Sequence, residues 1–89
     1  MPIRIRVKYF GELYDFLGKF EDLVIVRKDR ATLEDVLNEV RKLRPEIRFF
    51  EERVPMMWVY VNGKWVRSRD VEVRDGDIVW LSPALYEGG

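Results

Sequence analysis

The chain closes on Glu87-Gly88-Gly89, and these are the residues whose types and placement could do chemistry. Glycine has no Cβ, so a glycine pair can enter a narrow channel and take backbone angles closed to other residues. A free chain end is mobile unless something ties it down. Both properties suit delivery of the Gly89 carboxylate into the active site of another protein. A carboxylate is a poor electrophile, because its charge repels nucleophiles and oxide is a poor leaving group. It must be activated before any nucleophile can displace oxide from it. The reacting group expected here is therefore a backbone carboxylate, with no catalytic side chain in this chain.

The composition supports that reading by exclusion. The chain has no cysteine and no histidine, which removes disulfides, thiolate nucleophiles, the commonest general base and the commonest metal ligand. Lys+Arg and Asp+Glu both number 16, so the basic excess of a dedicated nucleic-acid binder is missing. Asp75 and Asp77 flank Gly76 and read as turn formers in preference to metal ligands. Glu51-Glu52 reads as a solvated loop. Arg4, Arg6 and Lys8 read as a solvated edge balanced by acidic neighbours. No bound metal or cofactor and no nucleic-acid contact are expected.

The 89 residues, 47% hydrophobic and 36% charged, fit one soluble domain with one compact core. No apolar run approaches a membrane span. The N-terminus alternates at once, without the apolar core of a signal peptide, so a cytoplasmic protein is expected. Gln is absent, Asn occurs only as Asn38 and Asn62, and charge is abundant. That pattern fits a thermophilic source.

The elements that must position the tail are readable from periodicity. Residues 3–10 alternate, with Ile3, Ile5, Val7 and Tyr9 on one side and Arg4, Arg6, Lys8 and Phe10 on the other, which is a half-buried strand. A short helical turn is expected over 12–17, stopped by Gly18. Residues 22–26 are a second strand, close enough in sequence to pair antiparallel. Thr32 caps a helix over 33–44, with Asp35 in the capping-box position. Leu33, Val36, Leu37, Val40 and Leu43 form its apolar stripe, and Pro45 ends it. Residues 47–56 are a connection with one helical turn.

Residues 57–61 and 64–66 are strands joined by Asn62-Gly63, the strongest short hairpin signal. Val71 and Val73 mark a short edge segment, 75–77 a turn and 78–81 the last strand, with Pro83 stopping the pairing. The order is two strands, a helix, then strands. It implies an α+β fold, a mixed sheet with one main helix packed on one face.

Three stretches carry a resemblance: Val7-Lys8-Tyr9-Phe10-Gly11 followed by Leu17-Gly18; Val59-Tyr60-Val61-Asn62-Gly63; and Asp75-Gly76-Asp77-Ile78-Val79 followed by Pro83 and Gly88-Gly89. In this order and spacing the chain resembles the ubiquitin-like β-grasp sulfur carriers. These include the molybdopterin synthase small subunit (MoaD), the thiamine sulfur carrier (ThiS) and the archaeal small modifier proteins. The synthase subunit (molybdopterin converting factor subunit 1) looks nearest. Two departures are visible: Ser82-Pro83-Ala84 stands where the family often has paired prolines, and Tyr14-Asp15 where an arginine-glutamate pair is common.

The resemblance implies a β-grasp domain over 1–83 and a flexible diglycine tail over 84–89. It implies that an E1-like adenylating enzyme, using ATP and Mg²⁺, activates Gly89, and that a sulfur donor then leaves a thiocarboxylate there. Leu85, Tyr86, Glu87 and Gly88 would enter the active site of the next partner, the large subunit of molybdopterin synthase or another sulfur acceptor. Sulfur donation to tRNA and conjugation to protein lysines remain alternatives, as does a non-covalent ubiquitin-like interaction module. Phe10, Trp58, Tyr60 and Trp80 are expected to share the sheet face away from the helix as a docking patch, since aromatics concentrate at interface hot spots. Any one of them could instead complete the core.

Overall fold

The computed structural model describes residues 1–53 and 57–83. The expected tail, with Leu85, Tyr86, Glu87, Gly88 and Gly89, lies outside the described residues, as does the end of the 47–56 connection. In chain order the elements are β1 (Ile3–Tyr9), α1 (Glu12–Leu17), β2 (Glu21–Val26), β3 (Ala31–Thr32), α2 (Leu33–Leu43), α3 (Ile47–Arg53), β4 (Met57–Val61), β5 (Lys64–Val66), β6 (Glu72–Val73) and β7 (Ile78–Pro83).

The alternation of β1 places Ile3, Ile5, Val7 and Tyr9 in the core. β2 folds back antiparallel on it, with Ile3 opposite Val26 and Lys8 opposite Glu21. Gly18, at φ 73°, ends α1 in the left-handed conformation and starts that return. The main sheet runs β2-β1-β7-β4-β5. β1 and β7 are parallel, whereas β4 pairs antiparallel with both β7 and β5. This is a mixed β-grasp sheet, and β7, last in sequence, lies at its centre.

α2 covers one face. The Asp35 N–H donates to the Thr32 hydroxyl, and the Asp35 carboxylate accepts from the Thr32 N–H at 2.9 Å, so the capping box is complete with aspartate in place of glutamate. Leu33, Val36, Leu37 and Val40 are buried against the sheet. Leu43, expected in the same stripe, is 46% exposed. At about 100° per residue it falls at the border of that stripe, and Arg44 falls at its centre.

Arg44 fills that central position through charge. Its guanidinium donates two bonds of 2.9 Å to the buried Asp22 carboxylate. The Tyr9 hydroxyl donates to the same group at 2.8 Å, and the Lys19 ammonium lies 3.0 Å away. The Arg44 bonds are the main reason that the Asp22 carboxyl is held well below the usual carboxylate range, against the opposing effect of burial. Burial, reinforced by Asp22, pushes the Tyr9 phenol above its ordinary value.

Three expectations are corrected. The connection after α2 holds a longer helix, α3, because Ile47 and Phe50 are both buried and Phe50 meets Phe16 edge-on at 5.0 Å. The segment around Val73 does not join the main sheet. It pairs with Ala31–Thr32, a strand missing from the sequence reading, in a separate two-stranded ladder. Pro83 does not stop the pairing, since β7 extends to it and Pro83 faces Met57 across the ladder.

Candidate functional site

The described part of the candidate site is the open face of the sheet, opposite α2, at the end where β7 leads toward the tail. Pairing registers set which side chains meet there. Lys8 and Tyr60 both face Trp80 across the ladders, Trp65 faces Tyr60, and Trp58 faces Ser82. Phe10 follows β1 and donates its N–H to the Leu81 carbonyl at 3.0 Å. The rings form two neighbouring groups. Phe10 and Tyr60 lie 5.4 and 5.9 Å from Trp80, and Trp58 lies 6.2 Å from Trp65. Phe10 and Trp58 are exposed, and Tyr60 and Trp80 are half-buried. The structure therefore brings all four expected aromatics to one face, and none belongs to the buried core.

Trp65 was missed in the sequence reading. It is 51% exposed, with the Arg67 guanidinium 5.3 Å from its ring. The signal was available. A two-residue turn at Asn62-Gly63 pairs Val61 with Lys64 and Tyr60 with Trp65, so Trp65 must share the face of Tyr60.

The hairpin that carries Tyr60 and Trp65 is braced to β7. Asn62 takes φ 52° and Gly63 φ 85°, as a primed turn requires. The Asn62 side chain also accepts from the Ile78 N–H at 2.9 Å and donates to the Asp77 carboxylate at 3.0 Å. Asp77 in turn accepts from the Arg74 N–H at 2.8 Å. Asp75 accepts from the backbone N–H of Arg4 at 2.8 Å, which with the Arg4 side chain lowers its carboxyl. Both aspartates thus organise a turn. Among the described residues no three acidic side chains converge on a possible metal position. Arg4 pairs with Asp75 and Arg6 with Glu21, so two members of the basic stripe have acidic neighbours. Among the described residues no helix is long and apolar enough to cross a membrane.

The ThiS family profile matches residues 7–85. The chain belongs to the ThiS family. This ThiS-family chain is similar across nearly its whole length to solved structures of small proteins. A Pyrococcus furiosus protein described as molybdopterin converting factor, subunit 1, superposes with TM-score 0.73 at 26% identity, covering 93% of this chain and 99% of the other. The small archaeal modifier protein SAMP1 of Haloferax volcanii superposes with TM-score 0.81 at 24% identity, covering 96% and 99%. A chain of the BexX/CysO complex of Amycolatopsis orientalis gives 0.72 at 24%, covering 94% and 99%. A search of curated proteins by sequence returns no match. The ThiS-family fold is that of small ubiquitin-like sulfur carriers, whose sheet and single main helix are those described above.

Proposed function

We propose that this chain is a sulfur carrier whose Gly89 carboxylate is adenylated and converted to a thiocarboxylate, and that it donates this sulfur in molybdopterin or tungstopterin synthesis as the synthase small subunit. The observation that carries the reading is the family match over 7–85, directly followed by Tyr86-Glu87-Gly88-Gly89. The likeness to the Pyrococcus furiosus converting-factor subunit supports the pathway. Likeness to the archaeal modifier protein is at the level of fold, so conjugation to lysines is an outcome to be tested.

In this reading an E1-like enzyme supplies ATP, Mg²⁺ and the acid-base groups. The Gly89 carboxylate attacks the α-phosphorus of ATP, pyrophosphate leaves, and a sulfur nucleophile then displaces AMP. The chain itself contributes a narrow tail and a surface that aligns it. The aromatic face beside the end of β7 would dock on the partner, and Leu85, Tyr86, Glu87 and Gly88 would line the channel. Misplacing a reacting atom by about 1 Å costs on the order of a hundredfold in rate, so docking and tail length act together.

The test is loading by the host's activating enzyme, followed by transfer to the synthase large subunit and to candidate tRNA acceptors. Conversion of the pterin precursor by the loaded carrier supports the pathway. Loading with transfer only to tRNA, or only to protein lysines, keeps the carrier and overturns the pathway.

A further inference from the structure

β2 is the outermost strand on one side of the main sheet; among the described residues no strand pairs with its outer edge, which runs beside α2. Hydrogen-bond alternation determines what that edge offers. Tyr9 donates its N–H to the Phe20 carbonyl at 2.9 Å, so the odd-numbered residues of β1 bond toward β2. The even-numbered ones bond the other way. The Arg4 carbonyl accepts from Gly76, and the Arg6 N–H donates to the Asp77 carbonyl. In an antiparallel ladder the residues opposite Arg4 and Arg6 then turn their own peptide groups outward. Those residues are Ile25 and Leu23.

Natural edge strands are commonly blunted by lysine, proline or a bulge. The Leu23–Ile25 stretch has none of these, and its register with β1 is continuous. Its side chains are open as well, with Leu23 58% and Ile25 37% exposed. A groove of 370 Å³ lies between this edge and the C-terminal half of α2, where Leu43 and Lys42 form part of its wall. It shares Ile25, Arg27, Glu39 and Lys42 with a larger cavity of 690 Å³ that reaches Arg48. The other cations along this route are paired: Lys28 with Asp35, Arg41 with Glu34 and Glu51, and Lys42 with Glu39. Among the described residues Arg27 and Arg48 have no carboxylate partner. The route is therefore apolar where Leu23 and Leu43 meet it and cationic toward Arg27 and Arg48.

We propose that the β2 edge is a peptide-docking site that accepts an extended segment of a partner protein as an added strand. Apolar residues of that segment lie against Leu23, Ile25 and Leu43, and acidic residues lie beside Arg27 and Arg48. The outward peptide groups of Leu23 and Ile25 supply main-chain bonds, and the walls select the side chains. Alternate residues of the added strand lie on opposite faces. One set extends the open face beside Leu23 and Ile25, and the other enters the groove against Leu43. Glu39 and Asp35 are already engaged by lysines, so an acidic segment meets the guanidiniums of Arg27 and Arg48, which are in no ion pair among the described residues. The site uses neither Gly89 nor the Trp65–Trp80 surface, so it stands independently of the carrier chemistry.

The experiment is a ¹⁵N–¹H titration of the full chain with a synthetic peptide of valine and isoleucine residues followed by glutamates, beside a counterpart ending in lysines. The expected result is saturable shifts from Leu23 through Lys28 and along Glu39–Leu43 with the acidic peptide only. A variant with Arg27→Glu and Arg48→Glu, both at exposed positions, should weaken binding by about tenfold. Ile25→Pro should also weaken it, because it removes an outward N–H and edge strands tolerate proline in that orientation. Equal binding of the lysine peptide, absence of binding, or shifts confined to the Trp65–Trp80 face would overturn the proposal. So would shifts that follow protein concentration in place of peptide, which indicate a second copy as the occupant.

Discussion

Asp22 concentrates the residue-scale logic of this chain. A carboxylate buried between β2 and the end of α2 is tolerable only when its oxygens are engaged, and Arg44, Tyr9 and Lys19 engage them. Removing the carboxylate leaves the buried Tyr9 hydroxyl without its acceptor and the partly exposed Arg44 and Lys19 without their counter-charge, at a cost of about 2 kcal/mol. Asp22→Ala should therefore lower the urea midpoint at neutral pH without changing the fold of the remaining ladder, as read by denaturation and amide spectra. The pH dependence follows from the same contacts. The folded-state pKa of Asp22 is depressed by Arg44, so its stabilisation is fully present above the unfolded aspartate value of about 3.9. It is lost as pH falls below that value toward the depressed folded one. Denaturation midpoints measured below about pH 4 should fall more steeply for the natural chain than for Asp22→Asn. At Gly88, substitution by Ala adds a Cβ to a segment proposed to enter a narrow channel. Thiolation should slow while the urea midpoint stays unchanged, which loading kinetics and denaturation together would check.

At the scale of elements, legibility followed how local the determining contacts are. β1 was readable because each of its apolar positions faces the core, and α2 because its cap and stripe lie within the element. The Asn62-Gly63 hairpin was readable because backbone sterics at two residues define it. The two-residue β3, the length of α3 and the reach of β7 to Pro83 depend on partners far away in sequence. Leu43 misled because periodicity treats the stripe as purely apolar, whereas Arg44 reaches the buried Asp22. Of the described part of the candidate site, the aromatic face could be read from strand parity, although Trp65 was overlooked. Two predictions belong here. Thr32→Ala removes the cap that accepts from Asp35 and should cost about 1 kcal/mol in urea denaturation. Asn62→Ala removes both the favourable positive φ and the brace to Ile78 and Asp77. It should cost about 1–3 kcal/mol, with the largest amide shifts at Ile78 and Asp77.

On the scale of the whole molecule, the fold places a central strand, β7, between β1 and β4, with aromatics on one face and α2 on the other. A sheet that presents an aromatic surface beside the end of β7 suits the proposed carrier, which docks on one enzyme after another. Trp65→Ala should weaken association with the synthase large subunit by about tenfold or more, the range of an interface hot spot, and leave loading at Gly89 possible. Titration calorimetry beside mass analysis would separate the two effects. The central claim concerns Gly89 itself. Deleting it would draw the carboxylate back by roughly 3.5 Å, one residue of extended chain. The most direct measurement is the intact mass of the full chain and of the Gly89 deletion after incubation with the host's activating enzyme, MgATP and a sulfur donor. The account predicts replacement of one oxygen by sulfur in the full chain alone. Replacement in the deletion as well, or in neither while an established carrier is loaded by the same enzyme, would contradict it.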